Sequence, residues 1–375
     1  MAAPTPPRAY DGSRATARVL ALSELWVFIA AYSGIVGAWR LTAVCKAARE
    51  GVKEWLRTLP GLVVCGGYTG DGVYTREVWR LDLRELKWNR LPDLTCGRTH
   101  HACFAVRKGV VALGGYVVEH TGRKTTAGVE SLGHGAVEEE NVFKALPPLS
   151  RGPIRECVAV ANFESESDQG QVLIIGGRKR NGGRSSPVHT VDLATGACTP
   201  QPALLSHHGH LAGCSAARLA DGRVICVGMH ANINSNTLQG TAQVLEPAEH
   251  GSPSKTGWKW RLLPGTIVGR YGSKACVLSD GRFAIFGGTV DGASTSSCEV
   301  LTLDGEDERW EELPPMHEAR SYTACAAIGG CVIVVSGDVD LKTAEVYEEA
   351  LGRWRRLPCD LPHAGGLRCM GSAVM

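Results

Sequence analysis

The sequence has almost no net charge, few aromatic residues and little sustained helical periodicity. Lys and Arg number 40 against 38 Asp and Glu, a net charge of +2. That balance lacks the electrostatic footprint of a nucleic-acid or membrane-surface binder, and neither partner is expected. Although there are 14 cysteines, no C-x-x-C pair and no zinc-type spacing occurs, and a chain of 375 residues buries a core without staples. The thiols are read as reduced, in the cytoplasm or nucleus. Long amphipathic stripes are scarce while glycine is abundant at 46 residues, which argues against paired α/β domains and for a repeat architecture. One apolar stretch, 19–39, follows Arg8, Arg14 and Arg18 and could pass for a leader or an anchor. Glu24 lies inside it, Ser23, Tyr32, Ser33, Gly34 and Gly37 dilute it, and no A-x-A site follows, so it is read as neither.

A β-branched run ending in glycine recurs along the chain. The terminal glycines are Gly67, Gly115, Gly177, Gly228, Gly288 and Gly337, at intervals of 48, 62, 51, 60 and 49 residues. Downstream comes an aromatic with a Leu-Pro: Trp88, Phe143, Trp260, Trp310 and Trp354, with Cys198 in the third repeat. A short alternating strand then carries one cysteine per repeat (Cys103, Cys157, Cys214, Cys276, Cys325, Cys369), 14 to 16 residues after the aromatic position. The cysteines are read as small apolar packing groups near a crowded axis. This pattern resembles the kelch family, whose repeat places a double glycine after its second strand and a tryptophan on its fourth. The resemblance implies an all-β, six-bladed β-propeller over 61–375, preceded by a short α-helical segment. The glycines would permit sharp turns and the tryptophans would pack between blades. Met229, Ser336 and Cys198 depart from the pattern. The first repeat lacks an innermost strand and the chain ends on 367–375, which has the register of one; pairing them would close the ring and remove two open edges.

Residues 1–18 are rich in Pro, Ala and Arg and are expected to be disordered. Helical spacing follows, in one stripe of Leu22, Leu25, Trp26 and Ile29 and a second of Leu41, Val44, Cys45, Ala48, Val52, Trp55 and Leu56, with a break at 33–37. The segment 19–57 resembles an F-box, the module that docks on the Skp-type adaptor of a ubiquitin ligase, with Ala21 where the usual proline stands and Ala47 where the usual tryptophan stands. The resemblance implies adaptor contacts through Leu22, Leu25, Leu41, Val44 and Cys45. A helical hairpin that merely caps the propeller is the alternative.

For chemistry, His100-His101 and His207-His208-Gly209-His210 enter the second and fourth innermost strands, with Tyr271 and Tyr322 in equivalent connections. No complete ligand motif accompanies them, so neither a metal nor another cofactor is expected, and no catalytic residue is assigned. Arg98, Arg270 and Arg320 each precede their repeat's cysteine by five or six residues. With Arg155, Arg178, Arg180, Tyr271 and Tyr322 they are expected on one rim, where planar guanidinium forks would take an acidic segment of a protein partner. Structural ion pairing within the ring is the competing account of these arginines. Three functions remain: a substrate receptor of a cullin-type ligase, a plain interaction scaffold, and a kelch-fold enzyme.

Overall fold

An apolar run buried on both faces, such as Leu62–Cys65, is stable only as an interior strand with partners on each side. The computed structural model pairs this run with Val78–Asp82 on one side and with Gly371–Val374 on the other. The model describes residues 16, 19–106, 109–119, 122–133, 142–162, 170–178, 188–205, 213–232, 237–248, 257–304, 307–338, 340–363 and 365–375. Among them are six four-stranded antiparallel sheets, the blades of a propeller. From innermost to outermost strand, blade one is Gly371–Val374, Leu62–Cys65, Val78–Asp82 and Lys87–Leu91. Blade two is Ala102–Val106, Gly109–Leu113, Val129–Gly133 and Phe143–Leu146. Blade three is Arg155–Asn162, Gln171–Arg178, Val188–Asp192 and Cys198–Gln201. Blade four is Ser215–Arg218, Val224–Asn232, Thr237–Pro247 and Trp258–Leu263. Blade five is Lys274–Val277, Phe283–Phe286, Cys298–Asp304 and Asp307–Leu313. Blade six is Ala324–Ile328, Cys331–Val335, Ala344–Glu348 and Arg353–Arg356.

Each innermost strand touches those of the neighbouring blades, and the sixth touches the first, so the ring is closed. Its seam is made of backbone bonds: Gly61 N–H donates to Met375 O at 2.7 Å and Met375 N–H returns to Gly61 O at 2.9 Å. Apolar layers fill the spaces between blades, for example Ile225, Val227 and Val244 of blade four against Phe283, Ile285 and Trp310 of blade five. The tryptophans also tie their four blades, one, four, five and six, to the connection arriving from the blade before. Trp260 Nε1–H donates to Pro202 O, Trp310 to Pro264 O and Trp354 to Pro314 O, all at 2.8 to 2.9 Å, and Trp88 to Cys359 O at 3.2 Å.

Two expectations need correction. The chain does not turn at Gly228, whose strand runs on to Asn232, with Gly228 paired to Thr241; Met229 cannot supply the second turn glycine that Gly67, Gly115, Gly177, Gly288 and Gly337 have beside them or replace with Ser336. The six cysteines are not equivalent either. Cys103 and Cys325 lie within innermost strands, whereas Cys214 and Cys369 precede theirs, because loops of different length absorb the near-equal spacing.

The described residues up to Pro60 form a compact unit separate from the one that begins at Gly61. Helix α1 spans Ser23–Leu41 and is kinked at Gly34 (φ 67°), and α2 spans Lys46–Thr58. The Cys45 side chain caps α2, its Sγ accepting from Ala48 N–H at 3.3 Å. Glycine at 51 lets the helices cross closely, since a β-carbon there would lie 2.3 Å from Ser23 O. No described helix is long and apolar enough to cross a membrane.

Deleting 365–375 removes the partner of Leu62–Cys65 and opens two strand edges. The truncated chain is expected to be insoluble or rapidly proteolysed; a melting temperature equal to that of the full chain would refute the seam's role.

Candidate functional site

Arg98, Arg270 and Arg320 do not reach a rim. They are 2%, 1% and 0% exposed, and each pairs with a buried glutamate on the third strand of its own blade: Glu130, Glu299 and, at 3.0 Å, Glu345. In each case Nη1–H groups donate to two carbonyls, Gly114 and Gly128, Gly287 and Ser297, or Ser336 and Thr343. The glutamates in turn accept from backbone N–H groups of the incoming connection, Thr95, Ile267 and His317, each at 2.8 Å. A charge buried this deeply is stable only when paired and hydrogen-bonded throughout. These arginines are therefore clamps that fix the interblade connections, not the rim groups their spacing predicts. Blade four makes the same clamp without charge, Leu205 N–H donating to Gln243 Oε1 at 2.8 Å, and blade three sets Arg151 3.0 Å from His189 Nδ1.

Fixing those connections creates a site at the axis. The residue that turns the chain into each innermost strand has positive φ in all six blades: Cys369 (54°), His100 (54°), Glu156 (55°), Gly213 (65°), Gly272 (65°) and Tyr322 (53°). Neighbours around the ring are bonded through the backbone. His100 N–H donates to Cys369 O, Glu156 to His100 O, Gly272 to Gly213 O and Tyr322 to Gly272 O, at 2.7 to 3.1 Å. Gly272 is required twice over, because a β-carbon there would also meet the Tyr322 ring at 2.7 Å. Cys369, His100, Glu156 and Tyr322 line one cavity of about 60 Å³ at the mouth of the axis.

Aromatic rings and guanidinium groups surround this mouth. Tyr68 stacks on His100 at 6.0 Å, and Tyr116 and Tyr322 meet the imidazole edgewise at 5.7 and 5.8 Å. Tyr271 packs against Tyr322 at 6.3 Å. Arg123 lies 3.4 Å and Arg155 4.7 Å from the Tyr116 centroid, and Arg368 lies 5.4 Å from that of Tyr322. Arg178 Nε is 3.1 Å from Glu156 Oε2. Burial, and then the charges of Arg123, Arg368, Arg155 and Arg178, lower the His100 pKa to about 4. Burial pushes Cys369 up to about 12 and raises Tyr322 as well. The Cys369 Sγ and His100 Nε2 atoms are 3.2 Å apart, yet at neutral pH they form an uncharged pair rather than a thiolate–imidazolium nucleophile. What the mouth offers is a set of hydrogen-bond donors, flat ring faces and excess positive charge, a combination suited to carboxylates.

Of the remaining expected site residues, Arg155 is buried behind Tyr116 and Arg178, Tyr271 and Tyr322 belong to the mouth. Arg180, His207, His208, His210 and residues 1–15, 17 and 18 lie outside the described residues. His101 is buried with Nε2 3.3 Å from Cys65 Sγ. Tyr116 and Arg123 escaped the sequence reading because they sit on an extra hairpin, Tyr116–Glu119 with Gly122–Thr125, inserted between the second and third strands of blade two. In the helical unit Leu22, Val44 and Cys45 are exposed and Leu25 and Leu41 half-buried. Phe28 and Tyr32 are the largest exposed apolar side chains on α1, at 74% and 96%, and were not singled out. Their spacing of four places them on one helical face.

The Kelch motif model matches residues 62–95. Human Kelch-like protein 33 is 33% identical over 106 residues, 27% of this chain and 20% of that protein. F-box/kelch-repeat protein SKIP20 of Arabidopsis thaliana is 27% identical over 139 residues, 32% of this chain and 33% of that protein. A second Arabidopsis F-box/kelch-repeat protein is 28% identical over 105 residues, 28% of this chain and 26% of that protein. The aligned regions thus span a third or less of these relatives. The solved structure of YjhT superposes with a TM-score of 0.59 at 12% identity, covering 80% of this chain and 98% of that one; it shares the propeller fold.

The clamp and the mouth respond differently to mutation. Arg270→Glu should cost about 3–5 kcal/mol of stability, the range for stranding a buried charge, seen as a lower melting temperature; Arg270→Lys should also destabilise, since the fork is lost. An unchanged melting temperature for Arg270→Glu would contradict the clamp. His100 binds its proton less readily folded than unfolded, where its pKa is near 6.5. Its contribution is present above about pH 6.5 and is lost as pH falls through about 4. Wild type should therefore lose more stability than His100→Asn over that window, and parallel pH–stability curves would contradict the assignment.

Proposed function

We propose that this chain, a kelch-repeat protein, is a non-enzymatic receptor that takes an acidic segment of a protein partner at the mouth of its propeller and presents that partner to a cullin-type ubiquitin ligase through residues 19–57. The observation that carries the binding half is the ring of positive-φ residues. Four of the six are not glycine although glycine would fit without strain, so side chains are held at the mouth against a backbone cost. The ligase half is supported by exposed Leu22, Phe28, Tyr32 and Val44 in the helical unit, apolar groups of the kind that dock in a partner's groove. Similarity to F-box/kelch-repeat proteins supports it too. The reading carries with it a cytoplasmic or nuclear location. An interaction scaffold with no ligase link is the second reading, favoured by the departures at Ala21 and Ala47.

The two halves are tested separately on the full chain. A fluorescein-labelled hexaglutamate peptide should bind with an affinity that falls with salt, since exposed charges are screened over about 10 Å near 0.1 M. Arg123→Glu, at an exposed position, should abolish that binding with little change in melting temperature; retained binding would move the site elsewhere. Co-purification of a Skp-type adaptor should be lost in the double variant Leu22→Asp, Phe28→Asp. Failure of wild type to capture any adaptor of its own organism leaves the scaffold reading.

A further inference from the structure

A cavity of about 180 Å³ lies away from the mouth, between blades three and four. Its origin can be followed across single rows of the sheets. In blade five one row reads Val277, Phe283, Leu301, Trp310 from the axis outward. In blade six the row at the same level reads Ala327, Val332, Tyr347, Trp354. Each has a second aromatic beside the tryptophan: Phe283 packs on Trp310 at 6.2 Å and Tyr347 on Trp354 at 5.2 Å. The row in blade four reads Arg218, Val224, Leu245, Trp260. The second aromatic is missing and an arginine replaces the innermost aliphatic residue.

What remains is a space walled by Leu173, Val224 and Leu245 with Trp258, and edged by Arg218. Trp258 stands two residues before Trp260 on the same strand and hence on the same face. A β-carbon at position 222 would come within 3.3 Å of Arg218 Nη2, so Gly222 leaves the guanidinium its room. On the opposite wall Gln201 Nε2–H donates to Thr190 Oγ1 at 3.1 Å. Apolar cavities of about 150 Å³ take up benzene, and binding pockets combine apolar walls with a few placed polar groups.

We propose that this cavity is a binding site for a small, flat aromatic carboxylate, with its ring against Trp258 in the space left by the missing aromatic and its carboxylate at Arg218. The site is independent of the mouth and of the reading given to it. The test uses 2-naphthoate and its uncharged analogue 2-naphthamide, titrated calorimetrically into the full-length chain. Wild type should bind naphthoate saturably, at one site, and more tightly than the amide. Val224→Phe, which restores the side chain that blade five carries, should abolish uptake of both while the melting temperature holds or rises. Val160→Phe fills the same cavity from the innermost strand of blade three and serves if Val224→Phe misfolds. Arg218→Leu should weaken naphthoate about tenfold or more, the loss of one charge-assisted hydrogen bond, and leave the amide nearly unchanged. Absence of saturable binding by wild type, or undiminished binding by a folded filled variant, overturns the site. Equal affinity for acid and amide, insensitive to Arg218→Leu, overturns the carboxylate assignment.

Discussion

The buried arginine–glutamate clamp is the constraint on which the rest of this propeller depends. A connection between blades has few backbone partners of its own, and left alone it would move. In blades two, five and six, the arginine from that connection reaches a glutamate and two carbonyls that flank its blade's second and third strands, and the glutamate reaches back to the connection's own N–H groups. The arrangement contributes little net stability over an apolar substitute, because desolvating the charges offsets their attraction. Its effect is on geometry: because these bonds form together in one arrangement, the chain is delivered to the axis in a fixed position.

Fixed delivery is what allows the strained ring. A left-handed residue other than glycine costs roughly 1–2 kcal/mol, and four such residues meet at the axis, bonded to their neighbours through the backbone. Gly213 and Gly272 occupy the other two positions, and at Gly272 the Tyr322 ring fills the space a side chain would need. Within the ring the strain thus falls on the positions whose side chains line the mouth, and the clamps hold the flanking chain in place.

Much of the fold was legible because it repeats. Glycine-terminated runs and the tryptophans mark strand order, and the missing strand at one end matches the spare strand at the other. The site was legible only in part. Arg98, Arg270 and Arg320 recur at one level for the same reason a surface motif would, and sequence spacing cannot separate a clamp from a rim without the glutamates. Glu130, Glu299 and Glu345 each follow a small or β-branched residue early in a third strand, which is the signal that could have identified the pairs. Tyr116 and Arg123 were hidden by an insertion, and the cysteine spacing, though regular, marked no common position.

The irregularities of the ring fall in adjacent blades. Blade three has Cys198 on its outer strand where others carry an aromatic, and its clamp joins Arg151 to His189 instead of to a carboxylate. Blade four uses the neutral Gln243 and lacks the second aromatic. Each change removes buried apolar contact or a charge-assisted bond from the same sector, so local opening there should cost less than opening of blades five and six, where Trp310 and Trp354 have aromatic partners. A closed ring tolerates this because every blade is held from both sides, and the seam between the first and last strands transmits that restraint around the circle. The sector freed from close packing is the one with room for a cavity, while the clamped sector on the far side keeps Tyr271 and Tyr322 in register at the mouth.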